Sequence, residues 1–221
     1  MAVGDYFDRY WRSMNTFVSD ARSLEKARIV HRMLGEINGP VLDAGCGRGV
    51  VAAYLIERGR RIAAFDASEV AVGHARSLGV EASVLDLEKN DPPGQYAAAL
   101  CLDILQHSPH PLALLGRISR ATVGGGKMIV SLPNEFHLLR RLGILFGRFR
   151  FARYDGPHPR LFWKAEALRL VEDAGLKVES VVPMALTAPR HRAASPIGRL
   201  MARAAPSLMA IGFIIEARKV K

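Results

Sequence analysis

The 221 residues hold 49% hydrophobic and 24% charged side chains, enough for one sizeable α/β core and inconsistent with long disorder or with two independent domains. Two cysteines, Cys46 and Cys101, exclude a disulfide framework, and neither has a Cys or His neighbour at metal-ligand spacing, so reduced thiols and no metal site are expected. The net charge of +10 lies wholly in two segments: 136–164 has seven bases against one acid, and 186–215 has four bases against none. A concentrated excess of this kind attracts phosphate, anionic lipid or an acidic partner, or else solvates one face.

In chain order, residues 6–34 set Phe7, Tyr10, Trp11, Met14, Phe17 and Val18 at helical spacing. This predicts one or two leading helices, which Asn38-Gly39-Pro40 stops, with Tyr6, Tyr10 and Trp11 serving as a lid over a ligand or as core. The charged opening, with Asp5, Asp8, Arg9 and Arg12, does not read as a secretory signal. The longest apolar run, 208–215, is far short of the roughly 20 residues of a membrane span, so the expected location is cytoplasmic, with membrane association open. A strand starting at Val41 enters a glycine turn and a helix over 50–58 closed by Gly59. Then come a strand over 61–66, a helix over 68–78 capped by Ser68, and strands over 82–86 and 96–103. A helix over 111–122 and a strand over 127–132, introduced by Gly124-Gly125-Gly126, complete the alternation.

After Pro133 the pattern changes. A helix over 137–151 carries Leu138, Leu142, Leu145, Phe146 and Phe149 on one side and arginines elsewhere. A helix over 164–174, a strand over 177–184, a short helix around 197–204 and a strand over 210–220 follow. Alternating strands and helices imply right-handed crossovers and a parallel sheet covered on both faces. The expected fold is α/β, Rossmann-like and doubly wound, with a mostly parallel seven-stranded sheet, helices on both faces and a small helical insert after strand 5. One domain is expected, divided into an N-terminal helical lid (1–38), a ligand-binding core (39–134), a basic helical insert (135–163) and a C-terminal helix with strands (164–221).

The chemistry centres on Asp43-Ala44-Gly45-Cys46-Gly47-Arg48-Gly49, between a strand and a helix. Its glycines let the backbone turn tightly and approach a ligand where a side chain would clash. Asp66 closes the next strand, 23 residues after Asp43, where a carboxylate can accept both hydroxyls of an adenosine ribose. Dinucleotide sites place the third glycine three positions after the second, admitting a pyrophosphate to the helix N-terminus; that position here is Val50. The tighter Gly-x-Gly-x-Gly after Asp resembles the first motif of the Class I S-adenosylmethionine-dependent methyltransferases. The resemblance implies S-adenosyl-L-methionine as cofactor, with Gly45, Cys46 and Gly47 along its methionine part, Asp66 on the ribose and Ala67 beside the adenine. Asp86-Leu87 resembles the position that holds the adenine amino group, and Asp43 would orient the loop and reach the donor's amino group through water.

Further on, Leu102-Asp103-Ile104-Leu105-Gln106-His107, continuing to Pro111, resembles the segment after the fourth strand in small-molecule methyltransferases of this class. Open α/β sheets bind ligands at the carboxyl ends of their strands, so Leu102 and Asp103 are expected to line the cofactor and acceptor side. His107 is a proton acceptor or a residue that packs the loop. Ser131-Leu132-Pro133-Asn134, then His137 and the stretch His158-Pro159-Arg160-Leu161-Phe162, resemble the MetW-like group.

Methyl transfer from a sulfonium already has a good leaving group, so holding the acceptor near attack geometry supplies much of the acceleration. A base is needed only where the acceptor must lose a proton, and the candidates are His107, His137 and His158, with Asp103 and Tyr154 behind them. The expected function is O- or N-methylation of a small-molecule or lipid-linked, anionic acceptor. A peripheral contact with anionic membrane through 137–153 is expected from its apolar stripe flanked by arginines. The alternatives are a non-catalytic accessory protein that binds a partner enzyme, as the MetW-like resemblance implies, and an RNA methyltransferase. The latter is disfavoured because Leu102-Asp103-Ile104-Leu105 replaces the acid or Asn, Pro-Pro and aromatic that base-amino methylases carry there.

Overall fold

The computed structural model of the chain describes residues 3–13, 16–147, 159–185 and 195–220. β1 (Val41–Ala44), β2 (Ile62–Asp66), β3 (Ala82–Val84), β4 (Tyr96–Leu102), β5 (Thr122–Pro133), β6 (Leu176–Met184) and β7 (Gly212–Lys219) form one seven-stranded sheet in the order β3-β2-β1-β4-β5-β7-β6. The first five strands pair in parallel, and β7 lies antiparallel between β5 and β6. This is the mostly parallel, doubly wound sheet that the alternation predicts.

Successive strand residues feed opposite cores, as the two-residue period requires. Leu42, Ala99 and Met128 join α5 (Pro111–Arg120) and α7 (Lys164–Asp173) on one face. Val41, Ala98 and Ile129 join α2 (Thr16–Leu34), α3 (Val50–Ile56) and α4 (Glu69–Ser77) on the other. Burial on both faces explains why β1 and β4 read as apolar runs instead of alternating. Between β2 and β4, β1 stands where the strand order reverses, so a crevice opens beyond its carboxyl end.

Most boundaries fall within two residues of the sequence reading, and four of the differences have a visible cause or shape the site. β5 begins at Thr122 and takes the three glycines into the strand, and the register against β4 shifts between Tyr96 and Ala98. β3 stops at Val84, although the Leu85 N–H still donates to the Asp66 carbonyl at 2.8 Å. β4 stops at Leu102 because Asp103 turns left-handed, with φ +53°. α6 (Leu138–Leu145) ends six residues before the expected 151, with Gly147 in the left-handed conformation two residues past its end. His158, Tyr154 and the 148–151 part of the expected helix lie outside the described residues.

At the carboxyl end of β5 the Asn134 side chain donates to the Ser207 carbonyl at 3.1 Å and to the Ala210 carbonyl at 2.8 Å. It thereby ties the approach to α6 to α9 (Pro206–Met209), which leads into β7 and is preceded by α8 (Pro196–Ala204).

Candidate active site

One cavity of about 1130 Å³ occupies the crevice at the carboxyl ends of the strands. All nine residues expected to bind the donor, from Asp43 and Gly45 to Asp86, Leu87 and Leu102, line its wall, as do Asp103 and His107. The turn after β1 is fixed by the Gly45 and Cys46 N–H groups, which both donate to the Phe65 carbonyl, at 2.8 and 2.9 Å. Gly47 has φ +52°, and a Cβ there would stand 2.9 Å from the Trp11 ring, so both backbone and space require glycine. At Gly49, with φ +76°, a Cβ would meet Ala75 of α4 at 2.6 Å, so this glycine sets how closely the turn approaches that helix.

Two buried carboxylates face the turn. Asp66 at the end of β2 accepts the Gly47 N–H at 2.8 Å on one oxygen and the Ser68 N–H at 2.9 Å on the other. Burial outweighs these bonds and pushes its carboxyl above the ordinary range. Asp43 is 2% exposed and its Oδ2 has no hydrogen-bond partner. Burial first, and then the neighbouring Asp66, raise its pKa to about 7 against the opposing pull of Lys26. A buried acceptor without a donor is costly, and two carboxylates so placed repel an anion. The pocket therefore suits a ligand with a cationic group, and a pyrophosphate fits it poorly. Burial, before any nearby charge, also pushes the Cys46 thiol far up, so it is no nucleophile.

Asp86, beyond β3, accepts the Glu88 N–H at 3.0 Å and pairs with Lys89 at 3.2 Å. Asp103 is held differently from the expectation that it could serve as a base. Lys26, buried on α2, is ion-paired with one of its oxygens, and the Ser131 hydroxyl donates to the other at 2.6 Å. Burial pulls its pKa up, but Lys26 and Ser131 prevail and hold it below the usual carboxylate value. A carboxylate so held is a weak proton acceptor. Lys26 pins the left-handed residue and lines the cavity.

The wall continues past β5 to Asn134, Glu135, His137 and Arg140, with Met184 and Ile211 opposite. Glu135 is buried and pairs with Arg140 at 3.1 Å. Burial first, and then Arg140, lower the His137 pKa, which keeps this imidazole neutral at pH 7. Residues 105–107 form a single 3-10 turn, and the His107 ring meets Phe7 edge-on at 5.4 Å between centroids. Phe7, Tyr10 and Trp11 of α1 (Val3–Ser13) all line the cavity.

Of the three aromatics expected as a lid or as core, Tyr10 and Trp11 line the cavity and Tyr6 does not. Sequence reasoning missed Arg22 and Lys26, which also line the cavity. The only available signal was an ordinary scatter of charge on a leading helix. Among the described residues no group of three His, Cys, Asp or Glu could hold a metal ion, and no helix is long and apolar enough to cross a membrane.

The residues present fit S-adenosylmethionine: the unpaired Asp43 oxygen suits its ammonium group, Asp66 its ribose hydroxyls, and the narrow face of Gly47 its amino-acid part. Comparison with known proteins agrees. Residues 11–181 match a family model described as a methyltransferase domain. A ubiquinone biosynthesis O-methyltransferase of Aeromonas salmonicida is 26% identical over 152 residues, which cover 64% of this chain and 64% of that protein, so the match spans less than two thirds of the relative's length. The structure of an S-adenosylmethionine-dependent methyltransferase of Thermotoga maritima superposes with a TM-score of 0.69 at 19% identity, covering 97% of this chain and 99% of the other. Magnesium protoporphyrin IX methyltransferase of Synechocystis, solved with bound S-adenosylhomocysteine, gives a TM-score of 0.67 at 20% identity, with 98% of each chain covered. The glycine turn, the strand order and the family match lead to one conclusion: the chain belongs to the methyltransferase domain family, with the Class I, S-adenosylmethionine-dependent fold.

Proposed function

We propose that the protein transfers a methyl group from S-adenosylmethionine to an oxygen or nitrogen of a small, anionic or lipid-linked acceptor. The observation that carries this reading is the charge of the donor pocket. Asp43 and Asp66 are buried side by side, one with an unsatisfied oxygen, and a ligand bearing positive charge relieves both costs. The bound donor supplies an electrophilic methyl on a sulfonium leaving group. The protein's part is to hold, orient and exclude water. Asp66 and Gly47 fix the donor end, the aromatic side chains of α1 cover it, and Lys26 with Ser131 fix the Asp103 backbone between donor and acceptor.

The acceptor end is lined by His107, His137 and Arg140, whose ring nitrogens and guanidinium can hydrogen-bond a polar acceptor. A volume of about 1130 Å³ exceeds the usual range of roughly 300–1000 Å³ for a single-ligand site, leaving room for an acceptor beside the donor. Where the acceptor must lose a proton, His107 or His137 takes it. O-methylation is supported by the 26% identical relative named for that reaction. The test is incubation with radiolabelled donor and fractionated cell extract. Label entering a small-molecule or lipid pool is the expected result, and label confined to RNA or protein, or no label at all alongside donor binding, overturns the reading.

A further inference from the structure

α6 and α8 present apolar side chains that the fold does not cover. No residue of α6 is buried, and Leu145 and Phe146 at its end are 75% and 73% exposed. α8 buries only Ala202 and leaves Ile197 and Leu200 71% and 67% exposed. Single exposed leucines are ordinary, but large apolar residues repeated along two short amphipathic helices are not.

Along the sequence, the charge of the segments that carry them is almost wholly of one sign. The segments that contain these helices, 136–164 and 186–215, hold eleven bases and one acid. Glu135, just before α6, is buried in its pair with Arg140 and offers the surface no counter-charge. Both helices spring from the corner of the sheet that Asn134 ties together. The first turn of α6 also reaches the cavity, through Arg140.

We propose that α6 and α8 dock the protein on a bilayer of anionic phospholipid, with the acceptor end of the cavity at the membrane surface. A nucleic acid would satisfy the arginines but leave Leu145, Phe146, Ile197 and Leu200 in water. A second copy packed on the same face would cover those residues but press arginine against arginine. The interfacial region of an anionic membrane satisfies both the apolar and the cationic side chains. Docking stands independently of the enzymatic reading. Delivery of a membrane-held acceptor rests on it.

The test is co-sedimentation of the full chain with phosphatidylglycerol or phosphatidylcholine vesicles, for the wild type and the double variants Leu145→Glu/Phe146→Glu and Ile197→Glu/Leu200→Glu. Circular dichroism and donor calorimetry establish that each variant is folded. Expected are binding to phosphatidylglycerol that weakens with salt, little binding to phosphatidylcholine, and a loss of about tenfold or more in partitioning for each double variant. Equal binding to both lipids, indifference to either double variant, or a vesicle-inert dimer that the variants dissociate would overturn the proposal. Vesicle binding by a protein that binds no donor would leave docking intact and remove the methyl-transfer reading instead.

Discussion

The carboxylate of Asp8 accepts the hydroxyl of Ser68, 60 positions later in the chain, which is also the residue that caps α4. The same Asp8 oxygen accepts the Val70 N–H at 3.2 Å, so α1 is fastened to the start of α4 and lies across the glycine turn. The Ser68 bond holds the Asp8 carboxyl below its usual value, opposed by some desolvation. Such a group stabilises the fold above the unfolded-state value of about 3.9, and the contribution fades as pH falls through the lower folded-state value. Asp8→Ala is expected to lower the melting temperature near neutrality and to weaken donor binding, with the gap in melting temperature closing in acid. Melting curves against pH measure it.

Gly47→Ala meets two obstacles, a left-handed φ and the Trp11 ring 2.9 Å from the new methyl group. Strain of this kind costs about 1–3 kcal/mol. Donor affinity and stability should both fall, and adding Trp11→Ala should restore only part of the loss, because it removes the steric contact and not the strained backbone. Calorimetry on the single and double variants separates the two contributions.

Asp66→Ala should weaken donor binding about tenfold or more, on the order of 1.4 kcal/mol, from lost charge-assisted hydrogen bonds. Asp66→Asn should fall between, keeping an acceptor oxygen without the charge. Unchanged donor affinity in both would remove the ribose assignment.

Asp43 gives a pH signature. The folded chain keeps this proton up to about pH 7, chiefly through burial and then through Asp66, whereas the unfolded chain releases it near the ordinary value of about 3.9. Between those values the folded state binds more protons, so Asp43 makes stability fall as pH rises. Asp43→Asn should flatten that slope in denaturant titrations. A cationic donor favours the ionised form, so its binding to wild type near pH 6 should release a proton. Buffer-dependent heat would show the release, and Asp43→Asn should lack it.

For the acceptor's proton, His137→Gln should cut kcat by roughly 10²–10⁴ and flatten the acidic limb of the pH profile, with donor affinity unchanged, if this neutral imidazole is the base. His107→Gln is expected to act on donor affinity as well, because the His107 ring packs against Phe7 of α1. A full rate with His137→Gln, together with a flattened profile for His107→Gln, would reverse the roles.

The donor half of the site was legible because local rules specify it. A strand, a glycine turn and an acid at the tip of the next strand are close in sequence, and the short apolar runs of β1 and β2, each ending in an acid or a glycine turn, locate that tip. The ties that hold the acceptor half were not, since Lys26 meets Asp103 across 77 positions and Asn134 reaches Ser207 across 73. Such pairs depend on which helices the sheet brings together, and no local pattern announces them. The end of α6 was misplaced for a related reason: apolar spacing continues through Phe149, while one glycine in the left-handed conformation suffices to stop the helix.

The position of β7 bears on how the chain reaches this state. It pairs with β5 from Lys127 to Pro133 and with β6 from Leu176 to Met184, so the strand that comes after all six others in the chain lies inside the sheet. A growing chain translated as far as β6 already holds every element of the donor pocket, yet β5 and β6 have no partner between them, and the places of Ile214 and Ile215 in the two cores stand empty. Open strand edges of that kind invite pairing with other chains. Final closure must wait until residues 212–219 leave the ribosome, and truncation before them should yield aggregates in place of a smaller, working domain.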